Sequence, residues 1–273
     1  MIRSFDEIYS KISSSSPARM AVVNARNSRI LDAIEVAESK GWIIPIYISD
    51  RNDLFAAEQA VNIVKSGRAD LIMKGDISTS ILIQAVIDKV KGIRKERRLS
   101  HVAVLETVTY PRLMLFTDGG VNTKLDQGIL QSIIENAIYA ANKLECKCPN
   151  IALLSLTEVL KIGTPEFDIV NGMLKLYENN VNTVIEGPIS LDVALSKENS
   201  ILKNLNSKIA GQTDIFVGQN ITTINFIVKS LLQLGNAKGG GIVLGGTVPI
   251  VLLSRSDTKE TKLNSIALGV NSL

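Results

Sequence analysis

Ten short apolar runs, set between amphipathic helical stretches, restrict what this chain can fold into more than any other feature. They cover residues 20–23, 43–48, 70–73, 102–105, 113–116, 151–154, 183–186, 214–217, 241–244 and 250–253. Several are apolar at almost every position, as expected of strands covered on both faces rather than one. Between them, residues 28–39, 56–66, 79–90, 127–144 and 222–234 repeat their apolar positions at the helical period. Strands alternating with helices predict an α/β fold with a mostly parallel sheet. Ten strands are many for one domain of 273 residues. Asp118-Gly119-Gly120 and the glycines at 239–241 and 245–246 mark the crossings. The expected division is 1–118 plus 244–273 as a first domain and 119–243 as a second, inserted one. Residues 13–16 are all serine and read as a loop.

In open α/β sheets, ligands bind beyond the carboxyl ends of the strands. Four stretches are predicted there: Lys74-Gly75, Asp118-Gly119, Glu186-Gly187-Pro188 and Ser254-Arg255-Ser256-Asp257. The last is the most informative. An arginine offers a planar fork of donors that fits phosphate or a developing oxyanion, and Ser254 adds a hydroxyl. The same residues would also serve as a helix cap with a surface ion pair. The glycines after Lys74 and at 239–241 permit a close backbone approach to a ligand, or plain turns. Neither stretch is a P-loop or a dinucleotide fingerprint.

Residues 89–98 contain six basic side chains and one acid, a run that suits cofactor phosphates, nucleic acid or a solvated helix end. Nucleic acid is disfavoured, because 30 basic and 27 acidic residues leave a net charge of only +3 and aromatics make up 4%. A multi-histidine metal centre is excluded by the single histidine, His101; a carboxylate-only Mg²⁺ site is not, although no metal is expected for turnover. His101 could act as a general base or be hydrogen-bonded structurally. Cys146 and Cys148 are too close for an ordinary disulfide and have no second pair with which to bind zinc. The absence of a secretory h-region and of a long uncharged apolar run points to the cytoplasm, with no membrane partner.

Taken together, Ala69-Asp70-Leu71-Ile72-Met73-Lys74-Gly75, Arg98-Leu99-Ser100-His101-Val102-Ala103-Val104, Phe116-Thr117-Asp118 with Asn122, Glu186-Gly187-Pro188-Ile189-Ser190-Leu191-Asp192, and Val248-Pro249-Ile250-Val251-Leu252-Leu253-Ser254-Arg255 with Lys262-Leu263-Asn264-Ser265-Ile266-Ala267 resemble the phosphate acetyl/butyryltransferase family. The butyryl branch is the nearer one. The resemblance runs in order from about residue 18 to the C-terminus. It implies two α/β domains around a cleft, in a fold shared with isocitrate and isopropylmalate dehydrogenases. It implies exchange of phosphate and coenzyme A on a short acyl group, with acyl-CoA and phosphate as substrates and no permanently bound cofactor. It also implies a homodimer or higher homo-oligomer.

By the same match, Ser254 and Arg255 would hold phosphate and the reacting carbonyl oxygen. Asp257 or Glu260 would accept the thiol proton; the acetyltransferases carry their acid one place later, where this chain has Thr261. Lys74, Arg94, His101, Asp118, Asn122, Gly187 and Pro188 would bind substrate. The chain departs from the family in a shortened N-terminal region, since 48–50 runs directly to the helix at 56. It departs again at 219–225, where Gln219-Asn220-Ile221-Thr222-Thr223-Ile224-Asn225 replaces a Pro-Asn stretch followed by Glu-Ala-Gly-Asn. Two alternatives follow: a degenerate, non-catalytic member, and a dehydrogenase of the same fold. The missing histidine cluster and fingerprint glycines count against the second.

Overall fold

The computed structural model describes residues 1–252, 254 and 256–273. In chain order its elements are α1 (Phe5–Ile12), β1 (Ala18–Val23), α2 (Ser28–Ser39), β2 (Ile43–Ile48), α3 (Asp53–Lys65), β3 (Leu71–Lys74), α4 (Thr79–Ile87), β4 (Ser100–Glu106), β5 (Met114–Thr117), α5 (Gln127–Lys143), β6 (Asn150–Leu154), α6 (Pro165–Tyr177), β7 (Val184–Ile189), α7 (Leu191–Leu195), α8 (Lys197–Leu202), β8 (Ile215–Val217), α9 (Ile221–Gln233), β9 (Lys238–Leu244), β10 (Ile250–Val251) and α10 (Lys259–Asn271). Each of the ten apolar runs meets a strand. The chain divides into two compact units: Phe5–Leu99 with Lys238–Leu273, and Met1–Ser4 with Ser100–Ala237.

In the first of these the strands run β2-β1-β3-β10-β9. All neighbours are parallel except β10 and β9. Register sets Val23 beside both Ile48 and Lys74, and Val251 beside Met73, so the carboxyl ends of four strands share one edge. Every residue of β3 is buried, as a strand covered on both faces requires. α1, α2 and α10 pack together in one layer, and α3 and α4 in another. β2 is the edge strand, which explains how Pro45 is tolerated and why Ile44 and Tyr47 are exposed.

The second unit has the order β4-β5-β8-β6-β7, antiparallel only between β4 and β5. Phe116 stacks on Phe216 with centroids 4.7 Å apart, and Tyr110 meets Phe216 edge-on. The buried Tyr110 hydroxyl donates to the Thr213 carbonyl, and its burial pushes its pKa up to about 12. Thr117, Val217, Leu154 and Ile189 lie at one edge.

The division falls before β4, not at residue 118 where the sequence suggested it. The reason is pairing: β4 is bonded to β5 from Val102 to Leu105, and β5 to β8. Asp118-Gly119-Gly120 is therefore a turn inside one unit. The return crossing likewise precedes β9 rather than following it.

Candidate active site

At the carboxyl edge of the first unit, β3 ends in Lys74, whose side chain is 4% exposed. Its Nζ donates to the carbonyls of Gly75 and Ile77. Gly75 follows because nothing larger fits: a Cβ there would lie 2.2 Å from the Val23 carbonyl oxygen. The close approach that glycine permits is to the end of β1, not to open space. Asp76 then accepts from the backbone N–H groups of Arg26 and Asn27, which ties this turn to the entry of α2, where Asn27 is the cap.

β10 delivers Ser254 to the same edge. Ser254 N–H donates to Asp257 Oδ2 at 2.7 Å, and Asp257 N–H donates back to the Ser254 carbonyl at 3.2 Å. The result is a tight turn with the hydroxyls of Ser254 and Ser256 exposed and 3.0 Å apart. Thr258 caps α10 through Thr261 N–H, and Glu260 stands exposed in its first turn. The structure thus joins Ser254 to Asp257; Arg255 lies outside the described residues.

Beneath this turn lies a residue that pattern reading passed over. Lys262 is 1% exposed. Its Nζ donates to the carbonyls of Asp257 at 2.7 Å and Ser254 at 3.1 Å. Burial pulls its ammonium below the ordinary lysine range; Asp257 and Asp76 oppose this and Arg29 adds to it. The signal was present: Lys262, Ile266 and Val270 fall at four-residue intervals, which puts a lysine on the apolar row of a helix.

The basic run is a loop rather than a helix end. Asp88 stops α4 at Ile87 by taking the N–H groups of Val90 and Lys91 on its side chain, and those bonds hold its carboxyl below the usual range. Arg94 is exposed and bridges Gly246 in antiparallel fashion, flanked by bonds from Lys95 N–H to Gly245 and from Thr247 N–H to Ile93.

In the second unit, Asp118 is 4% exposed and closes the loop after β5. Its two oxygens accept from five N–H groups: the backbones of His101, Gly120, Val121 and Asn122, and Asn122 Nδ2. Its role in the fold is to hold this loop. His101 lies within β4, its ring under Gly119 and Gly120. Gly187 and Pro188 fall inside β7, where a Cβ on Gly187 would strike Leu153 at 2.6 Å. Glu186 is bound by Ser207 and by Lys208 N–H.

The altered stretch 219–225 also has a structural place. Gln219 hydrogen-bonds Glu166, which also accepts from Ser155. The two side chains border a cavity of about 250 Å³ with Leu153, Leu154, Ile169 and Val217 among its walls. Asn220 takes over as the α9 cap, through Thr223 N–H. Among the described residues, no group of three His, Cys, Asp or Glu side chains is arranged to hold a metal, and no helix is long and apolar enough to cross a membrane.

The turn lies at the carboxyl edge of a mostly parallel α/β sheet, where proteins of this class commonly bind small molecules. Comparison narrows it. Residues 51–270 match the family described as phosphate acetyl/butaryl transferase, and the chain belongs to that family. It is 32% identical to a phosphate butyryltransferase of Clostridium acetobutylicum, over 98% of both chains. Among solved structures it is similar to a branched-chain phosphotransacylase from Enterococcus faecalis V583, with a TM-score of 0.83 and 29% identity, covering 93% of this chain and 98% of that one. A 4-hydroxythreonine-4-phosphate dehydrogenase from Burkholderia phymatum is similar in fold alone, with a TM-score of 0.51 at 14% identity over 97% of this chain and 85% of that one.

Proposed function

We propose that this chain exchanges phosphate and coenzyme A on a short acyl group: acyl-CoA and phosphate give acyl phosphate and CoA. The observation that carries the proposal is the 32% identity to a phosphate butyryltransferase along 98% of both chains. The turn after β10 supplies the chemistry. The Ser254 hydroxyl and the Arg255 guanidinium donate to the phosphate and to the carbonyl oxygen as it gains charge, and holding the reactants together removes much of the barrier. In the reverse direction the CoA thiol must lose a proton. Asp257 is bonded within the turn, so the exposed Glu260 is the better acceptor.

Arg94 contributes an exposed cation for substrate phosphate. Lys74, Asp118, Gly187 and Pro188 act by shaping the strand ends, and His101 and Asn122 complete the substrate-binding set. No resident cofactor or metal enters the scheme. The finer fold reading, that of isocitrate and isopropylmalate dehydrogenases, is supported by the similarity to a dehydrogenase. A homodimer and a cytoplasmic location complete the proposal.

The test is phosphate- or arsenate-dependent loss of the thioester from acetyl-, butyryl- and branched acyl-CoA, in parallel and with chelator present. Turnover of at least one is expected. No loss with any of them identifies a degenerate member, and restoration only by a divalent ion contradicts the scheme.

A further inference from the structure

We propose that Lys262 is a positioning residue for the proposed exchange: its buried ammonium clamps the turn that carries Ser254 and Asp257. The inference rests on the acyl-exchange reading for its effect on rate, and on geometry alone for its effect on the turn.

A lysine is seldom as fully covered as this one, and an unpaired buried ammonium is costly. Lys262 is also the fourth residue of α10, near the positive end of the helix dipole, where a cation is disfavoured. Neither placement helps the fold by itself. What the ammonium gains there is specific: two carbonyls, of Ser254 and Asp257, at 3.1 and 2.7 Å. These are the two ends of the turn. The same Ser254 carbonyl accepts Asp257 N–H, and Asp257 Oδ2 accepts Ser254 N–H. One cation therefore closes the turn from below, while its hydroxyls remain exposed above. Asp257 and Asp76 favour the charged ammonium and Arg29 opposes it, while its two hydrogen bonds go only to the turn's own carbonyls.

Removing the ammonium should leave substrate binding nearly intact and spoil the alignment that only the transition state uses. In Lys262→Met, with the fold verified by circular dichroism, kcat should fall on the order of 10²-fold while KM for acyl-CoA stays within about 3-fold. Lys262→Arg, which keeps the charge, should recover part of kcat. Amide hydrogen exchange at Ser254 and Asp257 should quicken on loss of the lysine and stay slow at the core strands. Unchanged kcat and unchanged exchange in a folded Lys262→Met would overturn the proposal. So would kcat, KM and core exchange all changing together, the pattern of a merely structural residue. If Lys262→Met does not fold, Lys262→Gln, which removes the charge and keeps a polar side chain, decides: quickened exchange confined to the turn with lowered kcat supports the clamp, and wild-type exchange with wild-type kcat contradicts it. A wild-type protein without acyl-CoA turnover sinks the functional reading alone, because the exchange measurement still tests the clamp.

Discussion

The turn after β10 and the loop after β5 solve the same problem with opposite charges. Each lies at the carboxyl edge of a sheet, and each wraps a buried ionised group. Around Asp118 the buried charge is negative, and five N–H groups turn inward to it. Around Lys262 the charge is positive, and two carbonyls turn inward. The difference decides what each leaves for a ligand. The first loop consumes its donors on itself and becomes a rigid support. The second consumes acceptors and leaves two hydroxyls exposed, which is the polarity a phosphate or an oxyanion needs.

This contrast can be broken by mutation. The largest effect should come from Arg255→Ala: kcat should drop on the order of 10²-fold or more, by comparison with other oxyanion donors, with Arg255→Lys recovering only part because the bidentate geometry is lost. Steady-state kinetics on a protein of unchanged melting temperature would check this. Next, Glu260→Gln should lower kcat for CoA attacking acyl phosphate by about 10²-fold, whereas an equal loss in Asp257→Asn with intact turn exchange would move the proton acceptor to Asp257.

The supporting loop should respond in stability instead. Asp118→Ala leaves buried N–H groups without their acceptor and should cost about 2–4 kcal/mol in urea unfolding; a cost under about 0.5 kcal/mol would show that the loop does not depend on its carboxylate. The smallest effect concerns thiols. Cys146 is buried, and burial first, then Asp214, pushes its pKa up to about 12, so almost none of it is thiolate at neutral pH. Cys148 is exposed. One thiol should react quickly with an aromatic disulfide reagent in the native protein and two after unfolding; two fast thiols would contradict the burial.

How far the sequence alone could go follows from the same two regions. The strands were legible because strands covered on both faces must be continuously apolar, and β2, bounded at residues 43 and 48, emerges with the predicted limits. The stretch Ser254-Arg255-Ser256-Asp257 stood out at a predicted strand end, and of it the structure shows Ser254 joined to Asp257 after β10. The unit boundary was not. Asp118-Gly119-Gly120 has the composition of a linker, yet its carboxylate gathers the surrounding N–H groups into a turn within one unit. Residues 88–98 misled in the opposite way: the helical pattern continues past Ile87, but the Asp88 side chain takes the N–H groups of Val90 and Lys91 and ends the helix. Lys262 was hidden because a charge in a helix ordinarily reads as a solvated face, and its partners are main-chain carbonyls that no side-chain pattern announces.

Everything proposed for the turn after β10 depends on this chain making acyl phosphate from acyl-CoA. The most direct measurement is to incubate the wild-type protein with butyryl-CoA and phosphate, trap the product with hydroxylamine and count the CoA thiol released. Hydroxamate and thiol are expected in equal amounts, both dependent on phosphate and both undiminished by chelator. Thiol released without trapped acyl phosphate, or neither product at any acyl length, would contradict it.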